Sequence, residues 1–210
     1  MKKAFFIALA VLLFSGAAFS ADTDIPLPVV VDKEGKSVTV PAEVNAKYFA
    51  APTRHGVVYL RGSNGEKAVL RGLADEKKFH AALLEIGAKP GDNVTLKDMN
   101  AGPNDGVRVE GSKLNVFITW DGLGKEIPFD DVINATEERP SDYRFGGNLP
   151  AAEKAFTGCI LCLDSCAVGI VSNASYPTGT TQNNVVEFFG DESVLPPDGT
   201  MVSVVFRLAE

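Results

Sequence analysis

Leu114, Val116, Ile118 and Trp120 are apolar at alternate positions. Successive side chains of an extended strand point to opposite faces, so this spacing lines one face of a strand and commits it to a half-buried sheet. The strand stops at the turn "DGLGK", and "KEIPF" is expected to return beside it. Other short β-branched runs recur along the chain between dense turn signals. Val29 to Val31 and Ser37 to Val40 flank "DKEGK", with Gly35 at the bend, which predicts an N-terminal hairpin closed by Pro41. "HGVVYL" and "KAVLRG" flank "RGSNGE", where Asn64-Gly65 favours the positive φ angles of a second hairpin turn. "VVEFFG" and "TMVSVVFRL", separated by "DESVLPPDG", read as a last hairpin. Helical spacing is convincing in one segment, "ADEKKFHAALLEIGAKPG", which puts Phe79, Leu83 and Ile86 on one face, with acids in the first turn and Gly87 as a stop. The expected fold is α+β: a β-rich single domain of hairpins with one clear amphipathic helix and a cysteine-containing loop.

The N-terminus bounds that domain. Residues 1–20, "MKKAFFIALAVLLFSGAAFS", have a basic start, an apolar run and small residues before Ala21, the pattern of a secretory signal peptide. The single domain is then residues 21–210, exported to the periplasm or beyond, with no membrane span once the signal is cleaved. Lys2-Lys3 is not a twin-arginine signal, so export proceeds unfolded and any metal is loaded outside the cytoplasm. Loss of the two signal lysines moves the formal charge from -7 to -9. Lys and Arg are dispersed over an acidic chain, which excludes nucleic acid as a partner. Of the thirteen Phe, nine follow residue 20, and with ample aliphatic residues they supply a core without help from disulfides.

All cysteines lie in "TGCILCLDSCAVGIVSN": Cys159, Cys162 and Cys166, spaced C-x2-C-x3-C. Three chemistries fit that spacing. The first is metal or cluster ligation, in electron transfer or metal handling with a redox or metal-handling partner. An iron–sulfur cluster would use the three thiolates with a non-cysteine fourth ligand. Zinc would add His55 or His80 to make four, and copper(I) would be content with fewer, softer ligands. A c-type haem is excluded, because Leu163 rather than His follows Cys162. The second chemistry is a disulfide staple plus one free thiol, in a structural or interaction protein. The third is thiol–disulfide exchange at Cys159-x-x-Cys162, although no βαβ setting surrounds it. His55, in "PTRHGVV" just before a strand, is the candidate fourth ligand, whereas His80 on the helix is expected to face solvent. "FGGN" places Gly146, Gly147 and Asn148 where their backbone can line the cysteine site. No Ser-His-Asp arrangement, G-x-S-x-G elbow or phosphate-cradling loop is visible, so the sequence gives no support for a hydrolase or transferase. The pairs Asp130-Asp131, Glu137-Glu138 and Asp191-Glu192 read as solvated carboxylates.

Three segments, "TRHGVVYLRGSNGEKAVLRG", "FGGN" and "TGCILCLDSCAVGIVSNA", together resemble the YdjY family of small exported bacterial proteins, from about Val29 to the C-terminus. The resemblance implies an exported protein with ferredoxin-like cysteine spacing and names no reaction. Against the bacterial ferredoxin run C-x2-C-x2-C-x3-C-P, Phe156 stands at the first cysteine and Ala167 at the proline. A full ferredoxin ligand set is therefore lacking, and the metal, staple and redox readings all stay open on the sequence.

Overall fold

A computed structural model describes residues 26–100 and 106–210. The signal-peptide segment, 1–20, and part of the loop from Lys97 to Gly106 lie outside them. Among the described residues the chain forms twelve strands: β1 (Val30–Asp32), β2 (Ser37–Val44), β3 (His55–Tyr59), β4 (Ala68–Gly72), β5 (Leu114–Trp120), β6 (Ile127–Pro128), β7 (Ile133–Ala135), β8 (Tyr143–Phe145), β9 (Cys159–Cys162), β10 (Val171–Asn173), β11 (Phe188–Gly190) and β12 (Met201–Leu208). Three short α-helices join them: α1 (Lys47–Ala50), α2 (Glu76–Glu85) and α3 (Leu149–Ala155). One ten-stranded sheet runs in the order β6-β5-β12-β2-β4-β3-β9-β10-β8, with β1 also on β2, and β11 and β7 form a separate pair. The large sheet is mixed, because β3–β4 and β9–β10 are parallel whereas the other pairs are antiparallel.

The alternation in β5 does what the physics of a pleated strand requires. Leu114, Val116 and Ile118 are buried, and Trp120 is half-buried at the strand end. On β12, Leu208, Phe206 and Val204 stand opposite the three buried residues, and Phe206 and Val204 in turn stand opposite Val38 and Val40 of β2. One apolar face thus runs across three strands. Helix α2 covers it: Phe79 packs its ring 4.6 Å from that of Phe206, and Leu83 and Ile86 are buried beside it. Asp75 caps the helix by accepting from the Lys77 and Lys78 amides, and Gly87, at φ 87°, ends it.

Four sequence expectations are corrected, each for a physical reason. Pro41 does not close β2, which continues to Val44. The Pro41 carbonyl accepts from Leu73, on the side where β1 pairing stops at Thr39 and β4 pairing starts at Ala42. A missing N–H is harmless in that gap. Secondly, β3 and β4 are parallel neighbours and not a hairpin, and neither Asn64 (φ -108°) nor Gly65 has a positive φ. Parallel neighbours usually need a dozen or more connecting residues. Here residues 60–67 suffice because the chain doubles back on itself so tightly that any Cβ on Gly65 would collide with the Leu60 carbonyl.

The other two corrections concern the C-terminal third. The expected last hairpin is absent: β12 inserts between β2 and β5, which occupy both its edges over most of its length, and β11 pairs with β7 instead. Finally, Cys159 to Cys162 is not a loop but strand β9, inside the sheet between β3 and β10, and Cys166 alone follows in the connection to β10.

The covered face makes a direct prediction. Ile118→Ala should lower unfolding stability by roughly 2–5 kcal/mol in chemical denaturation, as truncation of a fully buried aliphatic does. Asn115→Ala, on the exposed side of the same strand, should change it by less than about 0.5 kcal/mol.

Candidate metal centre

In an ideal strand, residues three apart point to opposite faces, so Cys159 and Cys162 should diverge. The pairing of β9 with β3 prevents this. His55 stands opposite Cys162, Val57 opposite Leu161 and Val58 opposite Cys159, with register shifts on either side of Val57. Each shift inserts an unmatched residue, and such bulges re-aim side chains. As a result the Cys159 and Cys162 sulfurs and a His55 ring nitrogen all lie within 4.8 Å of one another. The Cys159 Sγ to His55 Nδ1 distance is 3.7 Å. Both sulfurs are fully buried and His55 is 7 % exposed.

Electrostatics divide the two thiols. The hydrogen bond that Cys162 makes to Cys159 holds Cys159 well below the usual thiol range, with His55 helping against the opposing effect of burial. The same interaction, a second one with Cys166, and burial push Cys162 well above that range. Of the two, Cys159 is therefore the thiol that gives up its proton more readily. Asn64 adds a weak contact, its Nδ2 donating to Cys159 Sγ at 3.8 Å.

Cys166 packs in the same buried cluster with Val58, Ala68, Cys159 and Cys162, but falls outside the three-atom ligand group. Gly169 holds this end together. A Cβ there would stand 2.9 Å from Cys162 Sγ and 3.3 Å from Cys166 Cβ, so the hydrogen lets the backbone pack against Cys162 Sγ more closely than a side chain would allow. The "FGGN" residues act one step further out. Gly147 (φ 80°) donates its amide to Ile170, and Asn148 (φ 50°) donates its Nδ2 to the Cys166 carbonyl at 3.1 Å and its amide to Asp92 at 2.7 Å. Gly146 packs against Val109. These three residues brace the turn that carries Cys166.

The sequence reading overlooked a charged pair. Arg54 Nη2 lies 3.2 Å from Asp164 Oδ1, Asp164 is fully buried, and Thr181 Oγ1 donates to its other oxygen at 2.9 Å. Burial works against the Arg54 charge, yet Asp164, Cys166 and Cys162 outweigh it and raise its pKa. Arg54 therefore brings positive potential to the thiols. Its only sequence signal was adjacency to His55. Glu76, at the start of α2, is also buried, and neither carboxylate oxygen has a hydrogen-bond partner among the described residues; burial raises its pKa, with Cys159 adding to the effect.

His80 does not belong to the site and does not simply face solvent. It is half-buried with its ring 5.0 Å from that of Phe145, and desolvation lowers its pKa. The three cysteines are free thiols, so the disulfide staple is not supported. Asp130, expected to be merely solvated, accepts from the Tyr143 hydroxyl at 2.7 Å.

Fold and site together define a β-rich α+β domain whose sheet interior carries a buried histidine–cysteine cluster. The YdjY domain family model matches residues 29–207, and the chain belongs to that family. It is 44 % identical over 184 residues to the protein named "Uncharacterized protein YdjY" from Escherichia coli (strain K12), covering 87 % of this chain and 80 % of that one. No solved structure matches the chain.

One consequence is spectroscopic. In the metal-free, reduced protein, far-ultraviolet thiolate absorbance should persist below the pH range of ordinary thiols, and Cys162→Ala should shift its titration upward, with His55→Ala shifting it in the same direction. A titration left in place by both substitutions would remove the assigned cause.

Proposed function

We propose that the protein binds a single soft metal ion through Cys159, Cys162 and His55 and serves in metal handling outside the cytoplasm. The observation that carries this reading is the 3.7 Å between Cys159 Sγ and His55 Nδ1. Bonds of about 2.3 Å to sulfur and about 2.0–2.1 Å to nitrogen, at a tetrahedral or trigonal angle, hold such atoms roughly 3.6–3.8 Å apart. In a four-iron cluster each protein ligand sits on its own iron, so its ligands stand farther apart than two bonds to one ion, and the geometry favours a single ion over a four-iron cluster.

The donor set agrees. Two soft sulfurs and an imidazole suit zinc or copper(I), and Cys166, which interacts with Cys162 but falls outside the three-atom group, is the sulfur that would have to move in for an ion that demands four. Arg54 offsets the negative charge of two thiolates on an ion of low charge. The signal-peptide pattern of residues 1–20 supports the exported setting. Among the described residues no helix is long and apolar enough to cross a membrane.

The lowered pKa of Cys159 beside Cys162 also favours a second reading, dithiol–disulfide exchange. Full burial of both sulfurs weighs against it, since an incoming disulfide must reach the attacking thiolate.

Protein prepared anaerobically should take up one ion per chain, measured by elemental analysis and by competition with a chelator. Cys159→Ser, Cys162→Ser and His55→Ala should each weaken binding by roughly a hundredfold or more, and Cys166→Ser by less. Absence of any bound metal, with two thiols lost together on mild oxidation, would replace this reading by the dithiol one.

A further inference from the structure

The cluster around the cysteines has one more sulfur in it. Met99 packs against the group formed by Val58, Ala68, Cys159, Cys162 and Cys166, and also against the neighbouring group of Val94, Val109, Ala167 and Ala174. Met99 thus bridges the cysteine group and the group that holds Ala167, the residue after Cys166. It is half-buried, whereas Cys159 and Cys162 are fully buried. Its position is fixed from both sides: its carbonyl accepts from Gln182 Nε2, and the preceding Asp98 carbonyl accepts from Thr178 Oγ1 at 2.9 Å. Gln182, with Arg54 and Thr181, also lines a cavity of about 200 Å³.

We propose that Met99, Cys166 and Cys162 form a second, sulfur-only station for monovalent copper, through which the ion reaches the His55/Cys159/Cys162 site. The proposal rests on the metal reading above and names its ion. A thioether is a soft, neutral donor that binds copper(I) well and zinc poorly, so a station that includes one selects the monovalent ion. The buried inner ligands need such a station, because an ion with its hydration shell has no direct approach to them.

Cys162 is the shared ligand. Gly169 lets it approach Cys166 on one side, while Cys159 and His55 stand on its other side. In the handover Cys162 keeps its bond to the ion. The bonds to Met99 Sδ and Cys166 Sγ break, and bonds to Cys159 Sγ and His55 Nδ1 form. Cys166 regains a proton as Cys159 gives one up, the ion stays monovalent, and no electron moves.

Met99 is also an ordinary gap-filling side chain by composition, and Met99→Leu separates the two roles because it retains the apolar volume and loses the thioether. With a copper(I)–glutathione complex as donor under anaerobic conditions, Met99→Leu should slow uptake at least tenfold while leaving final occupancy at one ion per chain. A second measurement does not depend on that variant. The chain has three methionines, Met1, Met99 and Met201, and Met201 is 48 % exposed on β12. In selenomethionine protein carrying Cys159→Ser, which strands the ion at the outer station, selenium-edge absorption with one equivalent of copper(I) should show a copper neighbour; Cys162→Ser should abolish it. Uptake by Met99→Leu at the wild-type rate, or no copper neighbour at selenium in the Cys159→Ser protein, overturns the station. If the unsubstituted protein holds zinc at the inner site and no copper(I), the station falls and the metal reading stands. If it holds neither, both fall.

Discussion

The pairing of β3 with β9 is the constraint on which the rest of the structure depends. A regular antiparallel ladder would place Cys159 and Cys162 on opposite faces of the sheet, one in each of two separate environments. The two register shifts around Val57 cancel, so the strands stay paired at both ends while the side chains between them rotate. The outcome is a candidate ligand set built on strands at the sheet centre, held more rigidly than a loop would hold it. Parallel pairing on both outer sides, β4 on β3 and β10 on β9, leaves neither strand an open edge through which the shifts could relax.

Placing thiols in a sheet interior has an electrostatic consequence. An isolated buried thiolate is expensive, and the structure answers with two devices: a hydrogen bond within the Cys159–Cys162 pair, and the positive potential of Arg54, itself anchored on buried Asp164. Arg54 and His55 are consecutive, so the same strand entry supplies both the counter-charge and the nitrogen ligand. The buried Glu76 carboxylate sits at the start of α2, and its raised pKa follows first from burial.

Much of this was legible in the sequence, because period-2 alternation and helix capping are local signals. Leu114, Val116 and Ile118, and Phe79, Leu83 and Ile86, are buried as their spacing requires. The hairpins after β3 and before β12 misled because turn residues report that the chain turns and not which strand it then joins. Gly65 serves a close backbone approach, and β12 finds two long partners far away in sequence. His55 and the cysteines were visible as candidate ligands, yet their grouping rests on bulges that no spacing rule announces. Arg54, Glu76 and Met99 left no chemical signature in the sequence, since their roles come from burial beside residues 60 or more positions away.

The central claim is that one ion sits between Cys159, Cys162 and His55. Anomalous diffraction at the metal edge, from crystals grown anaerobically with copper(I) or zinc, tests it most directly. A single strong peak should appear within bonding distance of both sulfurs and of His55 Nδ1. A map with no peak there, and continuous density joining Cys159 Sγ to Cys162 Sγ, would contradict it.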